Sequence, residues 1–320
     1  MIRAKSVVKG TSSFVINAFR NPHGTISGTV SALGSYAIFM RYVRAIAQAG
    51  SSLEGRTVLE VGPGSSLGVG IAALLSGATR YYAYDLVDQT DSQRNLAVFD
   101  EMVELFRQRA PVPIEGWCAR IFPFIDDRAF PHALLPDQLL HRMLAADRIS
   151  ALRHDLATGE GSYFRARFAQ DPADVQIDEP IGLIISESVL EHVDDLESTY
   201  QAFARWLSDD GIMVHLIDYS SHNLSRHWNG HWQCSPLVWS LTRGKRLFLI
   251  NRVPHQGHVD LLQSHGFKVV HCDKLRRVDG LTPDQFSPEF RSMGFADATT
   301  CLAALICRRQ GNEPRAVNGS

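Results

Sequence analysis

The stretch VLEVGPGSSLG, residues 58–68, carries most of the information about the fold. Its apolar half continues a run that begins at Thr57 and stops at a Gly-Pro-Gly turn, a pattern typical of a buried strand followed by a tight turn. Apolar residues resume at Val69 and predict a helix up to Leu75. Glycine allows the backbone to approach a ligand closely, and the free N–H groups of the next helix point at the same place. The stretch therefore predicts a ligand site between a strand and a helix, with a purely structural turn as the alternative.

A second strand is expected at residues 80–84, and it ends at Asp85. An acidic side chain at that tip can accept hydrogen bonds from both hydroxyls of a ribose. The glycines at positions 62, 64 and 68 do not have the spacing of the dinucleotide fingerprint, in which the third glycine comes one position earlier. This spacing disfavours an NAD-dependent oxidoreductase, which stays open as a rival interpretation.

Strand and helix patterns alternate along the rest of the chain. A helix is expected at 35–49, and a second one is expected to begin with a capping box formed by Asp194 and Glu197. Further strands are expected at 149–155, 181–186, 211–218, 267–272 and 301–308. Because strands that alternate with helices form parallel sheets, the sequence predicts an α/β fold with a Rossmann-like, seven-stranded, mostly parallel sheet and helices on both faces.

Segment lengths predict how the chain is divided. We expect an N-terminal arm and helix at 1–50, the main domain at 51–310, and a polar, disordered tail at 311–320. The segment 91–148 is far longer than the ~2–6 residues of an ordinary α/β connection, so we expect an inserted helical cap there. Residues 219–257, which contain three tryptophans, are expected to form a substrate lid.

Composition excludes several classes of function. The 320 residues include 32 Lys and Arg and 34 Asp and Glu, so the net charge is -2 and binding to nucleic acid is not expected. The sequence has no apolar run of about 18 residues, so no membrane span is expected. Its five cysteines form no CxxC pair, which indicates a reduced, cytoplasmic protein without a cysteine zinc site. The oligomeric state cannot be read from these features.

The ordered set of motifs resembles one protein family. The glycine turn after the first strand, Asp85 after the second, and IISESVLEHV at 184–193 after the fourth resemble the class I methyltransferases that use S-adenosylmethionine. The resemblance implies that S-adenosyl-L-methionine is the cofactor. In that family the glycine turn lies beneath the methionine part of the cofactor, and the acid after the second strand holds the ribose.

The resemblance also implies a set of cofactor-binding residues. The turn and the two strands beside it supply six of them: Glu60, Gly62, Pro63, Gly64, Asp85 and Leu86. Asp155 and Leu156 are expected beside the adenine, and Ser186 and Glu187 are expected after the fourth strand. Glu60 is expected to orient the turn or the ammonium group of the cofactor, although it also fits a simple acid at the end of a strand.

Catalytic candidates follow the fourth and fifth strands. Ligands of open α/β sheets bind beyond the carboxyl ends of the strands, which places Asp218 and His222 at the reactive edge. His222 is the candidate base, because a neutral imidazole takes a proton from a hydroxyl near pH 7, and Asp218 is expected to hold its tautomer. His192 is a third candidate. The alternatives are an exposed loop histidine at 222 and a packing or capping role for His192.

Three histidines of the same segment are close enough in sequence to suggest a metal site. His222, His227 and His231 are close in sequence, but Asn229 and Gly230 break any helix that would align the last two. No metal is therefore expected.

Together these features predict an S-adenosylmethionine-dependent methyltransferase, with O-methylation as the expected reaction. A looser resemblance of residues 215–267 to bacterial methyltransferases of surface-polysaccharide or secondary-metabolite pathways implies a small-molecule or saccharide acceptor. Two alternatives remain at this stage. One is a partner that binds S-adenosylmethionine without catalysis, and the other is the NAD-dependent oxidoreductase.

Overall fold

The computed structural model describes residues 2–16 and 31–311, and in these ranges the strands form one seven-stranded sheet. The strands are β1 (Thr57–Val61), β2 (Arg80–Asp85), β3 (Phe164–Phe168), β4 (Ile181–Glu187), β5 (Leu207–Asp218), β6 (Phe267–Arg276) and β7 (Thr300–Arg309). Their order across the sheet is β3-β2-β1-β4-β5-β7-β6. The pairings from β3 to β5 are parallel, and β7 runs antiparallel to both of its neighbours. The predicted Rossmann-like sheet is thus confirmed.

Helices cover both faces of this sheet. They are α1 (Ala4–Ile16), α2 (Ala32–Gln48), α3 (Gly68–Leu75), α4 (Ser92–Arg107), α5 (Asp137–Met143), α6 (Ala146–Thr158), α7 (Leu196–Trp206), α8 (Pro236–Arg243), α9 (His255–Ser264) and α10 (Phe295–Ala298). Apolar side chains of α2, α3, α4 and α6 form the core on one face. Side chains of α7 and α9 contribute to the core on the other face. None of the helices in the described ranges is long and apolar enough to cross a membrane.

The central strands have the composition that burial on two faces requires. All five residues of β1 are buried, and alternation places Val58 in one core and Leu59 in the other. A strand of a parallel sheet that is covered on both sides has no solvent-facing positions, so it reads as a continuous apolar run. This is why β1, β2 and β4 were predicted within a residue or so of their observed bounds.

The third strand was predicted wrongly. Residues 149–155 lie inside α6, and the strand is Phe164–Phe168, with the sequence FRARF. Leu152 and Leu156 are buried four residues apart on one face of α6, which is helical spacing. The sequence did not predict this strand because it lies at the edge of the sheet, where its two arginines are only half-buried and the apolar run is interrupted.

The start of α7 also differs from expectation. The N-cap of α7 is Asp195, whose carboxylate accepts a hydrogen bond from the Ser198 N–H at 2.9 Å. Asp194 instead forms an ion pair with Arg243, so the N-cap lies one residue later than predicted and the capping box of Asp194 with Glu197 is wrong. Residues 4–16 of the expected N-terminal arm form a helix. The expected tail from residue 312 onward lies outside the described residues.

The predicted cap is mostly part of the core. Its helices α4 and α5 pack with α2 and α3 in one hydrophobic cluster, so they belong to the helical layer on that face of the sheet. Between them, residues 121–125 run beside the carboxyl end of β5, where Phe122 contacts Leu216 and Ala304. Residues 122–125 of this segment line a cavity at that edge of the sheet.

Candidate active site

The turn after β1 depends on two glycines. Gly62 and Gly64 have φ angles of +71° and +66°, a left-handed conformation that favours glycine. A Cβ atom on Gly62 would lie 2.5 Å from Cγ2 of Val189, in the segment that follows β4. Pro63 is buried between them. The turn therefore brings backbone, without side chains, to the carboxyl edge of the sheet.

Asp85 lies directly against this turn. Its Oδ2 atom accepts a hydrogen bond from the Gly64 N–H at 3.3 Å, and Oδ1 accepts one from the Leu86 N–H at 2.7 Å. Burial raises the pKa of Asp85, and the two N–H groups oppose that effect. The acid at the end of β2 and the glycine turn after β1 thus form one site, with half-buried Leu86 at its border.

Glu60 lies below the turn and is buried with an oxygen 2.5 Å from the Tyr81 hydroxyl, which donates to it. Burial raises the pKa of Glu60 to about 8, and the nearby charges of Glu187 and Asp85 add to the effect although the Tyr81 hydrogen bond opposes it. Three carboxyl groups therefore approach one another around the glycine turn. A positively charged ligand would relieve their repulsion, because an opposite charge favours the ionised carboxylate.

Glu187 and Ser186 end β4 but face different ways. The Tyr42 hydroxyl of α2 donates a 2.8 Å hydrogen bond to Oε2 of Glu187, and burial raises the pKa of Glu187 to about 7. The Ser186 hydroxyl is fully buried and lies 2.8 Å from Nδ1 of His215, whose ring stacks on Phe203. The Ser186 side chain therefore points into the core, and only its backbone is available to the site.

The expected adenine contacts at Asp155 and Leu156 are wrong. The Asp155 carboxylate accepts hydrogen bonds from the N–H groups of Gly161, Tyr163 and Phe164, at 2.9, 2.6 and 3.0 Å. These groups lead into the amino end of β3, whereas the glycine turn lies at the carboxyl edge of the sheet. Leu156 packs in the helical core. Both residues hold α6 against β3, away from the glycine turn.

Two residues that follow the true third strand contact the residues beside the glycine turn instead. The Ala169 N–H donates to the Asp85 carbonyl at 3.2 Å, and the Gln170 side-chain amide donates to the Leu86 carbonyl at 3.0 Å. Sequence reasoning missed both because it placed the third strand too early. The signal was the alternation in FRARF, directly before Ala169.

The catalytic candidates meet beyond β4 and β5. Nε2 of His222 lies 3.3 Å from Oδ2 of Asp218, and the rings of His222 and His192 contact edge to face with centroids 4.9 Å apart. The His222 side chain is about one third exposed, at 31%. Glu191, which was not among the predicted site residues, joins this group and is 3% exposed.

Among the described residues, the group that could hold a metal differs from the histidines that are close in sequence. Glu191, His192 and His222 have ligand atoms that all lie within 4.8 Å of one another. His227 is exposed and His231 is buried, and neither belongs to the group.

A cavity of about 110 Å³ opens beside Glu187, between α2 and the sheet. Its walls are mainly apolar and include Phe122, Phe124 and Leu216. Arg41 of α2 also lines it, and burial lowers the pKa of this guanidinium. Apolar cavities with a few polar groups often bind small molecules, and this one is smaller than the ~300–1,000 Å³ of a typical ligand site.

Comparison with known proteins identifies the family. Residues 36–272 match the model of a methyltransferase domain, which is more than half of the chain. The match spans the glycine turn, Asp85 and the cluster around His222. No curated protein matches the chain.

Solved structures with a related fold include several methyltransferases, at low similarity. A magnesium protoporphyrin IX methyltransferase from Synechocystis PCC 6803 with bound SAH is 12% identical, covers 95% of this chain and 99% of that chain, and has a TM-score of 0.42. S-adenosylmethionine-dependent methyltransferases from Mesorhizobium loti and Clostridium acetobutylicum are 15% and 10% identical, with TM-scores of 0.38 and 0.40. They cover 84% and 97% of this chain, and 96% and 100% of their own chains. Because the family model matches most of the chain, the protein belongs to the methyltransferase-domain family, whose methyl donor is S-adenosyl-L-methionine.

Proposed function

We propose that this methyltransferase transfers the methyl group of S-adenosylmethionine to a hydroxyl of a small-molecule or saccharide acceptor. In this reaction the acceptor oxygen forms a bond to the methyl carbon while the bond from that carbon to the sulfonium sulfur breaks. The electron pair of the broken bond stays on sulfur, and the acceptor loses its proton. The cofactor carries the reactive group, so the protein mainly supplies alignment and a site shielded from water.

The observation that carries this proposal is the charge of the cofactor site. Glu60, Asp85 and Glu187 are acidic groups gathered around a turn of bare backbone, and mutual repulsion contributes to the raised pKa of Glu60. S-adenosylmethionine brings a sulfonium and an ammonium group, which offset that repulsion. A dinucleotide brings a pyrophosphate, which adds to it. The site therefore favours the cationic cofactor over NAD.

Each cofactor residue has a proposed role. Gly62, Pro63 and Gly64 form the turn beneath the methionine part, where their backbone meets the ligand. Asp85 and Leu86 border the ribose, and the Asp85 carboxylate is the acceptor for its hydroxyls. Glu60 and Glu187, with the backbone of Ser186, face the positive end of the cofactor.

The acceptor is proposed to lie between the cavity beside Glu187 and the cluster of His192, Asp218 and His222. Asp218 contacts Nε2 of His222 at 3.3 Å and fixes the orientation of the ring. The other ring nitrogen, Nδ1, is therefore the one proposed to face the acceptor. The acceptor hydroxyl would contact this cluster and lose its proton there. Residues 121–125 and the lid at 219–257 would cover it.

The experiment follows tritium from methyl-labelled S-adenosylmethionine into fractionated extracts of the source cells. We expect label in the small-molecule or glycan fraction, and its amount should fall at least tenfold with His222→Ala. The matched control is His227→Ala, an exposed histidine of the same segment that lies outside the cluster. Label confined to protein or nucleic acid would contradict the acceptor class. Cofactor binding with no transfer to any fraction would favour a non-catalytic binding partner.

A further inference from the structure

The carboxylate of Glu191 is buried with little compensation among the described residues: the backbone N–H groups of Glu191 and Asp218 lower its pKa, but neither forms a hydrogen bond of good geometry with it. The residue is 3% exposed, and neither of its side-chain oxygens has a hydrogen-bond partner. No ion pair with a basic side chain is formed by Glu191 in that part of the chain. A buried, unpartnered carboxylate is costly, and an absent ion or water is one of its ordinary explanations.

Two imidazoles lie close to the Glu191 carboxylate. Nδ1 of His192 is also buried without a hydrogen-bond partner. One ligand atom each from Glu191, His192 and His222 lies within 4.8 Å of the other two. Ligand atoms around a tetrahedral ion with bonds of about 2.0–2.1 Å are about 3.4 Å apart. Movements of about 1 Å would therefore close these three atoms around one ion.

We propose that Glu191, His192 and His222 bind a divalent transition-metal ion, of the zinc or manganese class. Two imidazoles and one carboxylate are a donor set that such ions accept, and three protein ligands leave a coordination position open. The set also explains why a buried carboxylate lies beside two histidines, with both of its oxygens and Nδ1 of His192 lacking hydrogen-bond partners.

Surrounding residues hold the three ligands as a metal site requires. Asp218 contacts His222 through Nε2, which leaves Nδ1 of that ring for the ion, and a carboxylate on the other nitrogen is the usual support of a histidine ligand. Asn251 fixes the turn that bears Glu191 and His192. Its N–H donates to the Glu191 carbonyl at 2.7 Å, and its amide donates to the carbonyls of Leu190 and Val193 at 2.8 and 2.9 Å.

The charge balance agrees with a cation at this position. Burial raises the pKa of Glu191 well above its usual range, and the neighbouring Asp218 charge adds to the effect. A divalent cation reverses both contributions, because it stabilises the ionised carboxylate.

The role of the ion rests on the proposed function, since that function places the acceptor hydroxyl at this cluster. An ion with an open position would bind the hydroxyl and lower its pKa, as metal ions do for bound water. His222 would then act as a ligand of the ion, and a direct base would not be required.

The test begins with untagged protein treated with a chelator and dialysed. Zn²⁺ and Mn²⁺ are titrated separately by calorimetry, and bound metal is counted by mass spectrometry. We expect one ion per chain. Glu191→Gln and His222→Ala should each raise Kd at least about tenfold, and Asp218→Asn should raise it about 10–100-fold as an outer-shell residue. His227→Ala is the control and should leave Kd unchanged.

Folding and function are separated by measuring S-adenosylhomocysteine binding in every variant. Retained binding shows that a variant is folded, and His222→Ala on the exposed loop serves if Glu191→Gln does not fold. Absence of a stoichiometric ion, or equal metal affinity in Glu191→Gln and His227→Ala, would overturn the metal site. Methyl transfer that persists after metal removal would overturn its role while leaving the proposed function intact. One bound ion without any S-adenosylhomocysteine binding would contradict the proposed function and leave the metal site standing.

Discussion

The Oδ2 atom of Asp85 lies 3.3 Å from the backbone nitrogen of Gly64, so the acid that ends β2 and the turn that follows β1 are in direct contact. Twenty-one residues separate them in sequence. Parallel pairing of β1 with β2 joins them, because the carboxyl ends of parallel neighbours meet at the same edge of a sheet. This contact places an acceptor for ribose hydroxyls directly beside the backbone of the glycine turn.

The first prediction concerns Gly62. Gly62→Ala places a Cβ 2.5 Å from Val189 at a φ of +71°, so we expect it to destabilise the protein by about 1–3 kcal/mol and to weaken S-adenosylhomocysteine binding. Gly159→Ala is the matched control, since Gly159 has a φ of +72° with no atom within 4 Å of the added Cβ. It should cost about 1 kcal/mol and leave cofactor affinity unchanged. Urea unfolding and calorimetry measure both, and equal effects of the two substitutions on binding would contradict the assignment.

Asp155 is predicted to matter for stability alone. Asp155→Ala removes a carboxylate that accepts three backbone hydrogen bonds, so the free energy of unfolding should fall by about 2 kcal/mol or more. S-adenosylhomocysteine affinity of the folded fraction should not change. A variant with normal stability and weakened cofactor binding would restore the adenine role that the structure rejects.

Glu60 should make the cofactor-free protein less stable as pH rises. Its folded pKa of about 8 lies above the ordinary value of 4.5, so its contribution is complete below pH 4.5 and is lost as pH rises to about 8. The expected slope is about 1.4 kcal/mol per pH unit across that window. Glu60→Gln keeps an acceptor for the Tyr81 hydroxyl and should remove this slope. Urea unfolding at pH 5 and pH 8 measures it, and parallel profiles for both proteins would contradict the prediction.

Two core histidines should make the protein sensitive to acid. His215 and His258 are fully buried, with one ring nitrogen bonded to Ser186 or Tyr200 and the other unpartnered. Burial lowers each pKa to about 3, so stability is present above about pH 6.5 and is lost as pH falls toward 3. His215→Asn should flatten the slope between pH 6 and 4 by about 1.4 kcal/mol per unit.

The control for this acid prediction keeps both imidazoles. Phe203→Leu removes the ring stacked on His215 and is expected to destabilise the protein without changing the slope. Chemical unfolding between pH 4 and 7 compares the three proteins. A slope that is equally flattened in Phe203→Leu would show that loss of packing, and not titration of the histidine, is responsible.

The sequence predicted the central strands well and the edge strand poorly. β1 and β4 are buried on both faces, so their apolar runs admit few other interpretations. β3 lies at the edge of the sheet and pairs with β2 alone. Its arginines can therefore lie partly in solvent, and no continuous apolar run marks the strand in the sequence. α6 was mistaken for a strand because a short apolar run fits both structures when its period is not counted.

The candidate site was likewise predicted well where it depends on local motifs and poorly where it depends on the third strand or on packing. The contact of Asp85 with the glycine turn depends on local motifs and parallel pairing, and both can be read from sequence. The error at Asp155 came from the misplaced third strand. Glu191 was not assigned to the site, because its lack of a hydrogen-bond partner is visible only in the packed structure.

The most direct measurement is calorimetric titration of S-adenosylhomocysteine into wild type, Asp85→Ala and Asp100→Asn. Asp85→Ala removes hydrogen bonds from a charged group, worth about 1.5–3 kcal/mol, so Kd should rise about 10–150-fold. Asp100 is an exposed acid that pairs with Arg153, and its substitution should leave Kd at the wild-type value. Unchanged affinity in Asp85→Ala would contradict the claim that the turn after β1 and the acid after β2 together seat the cofactor.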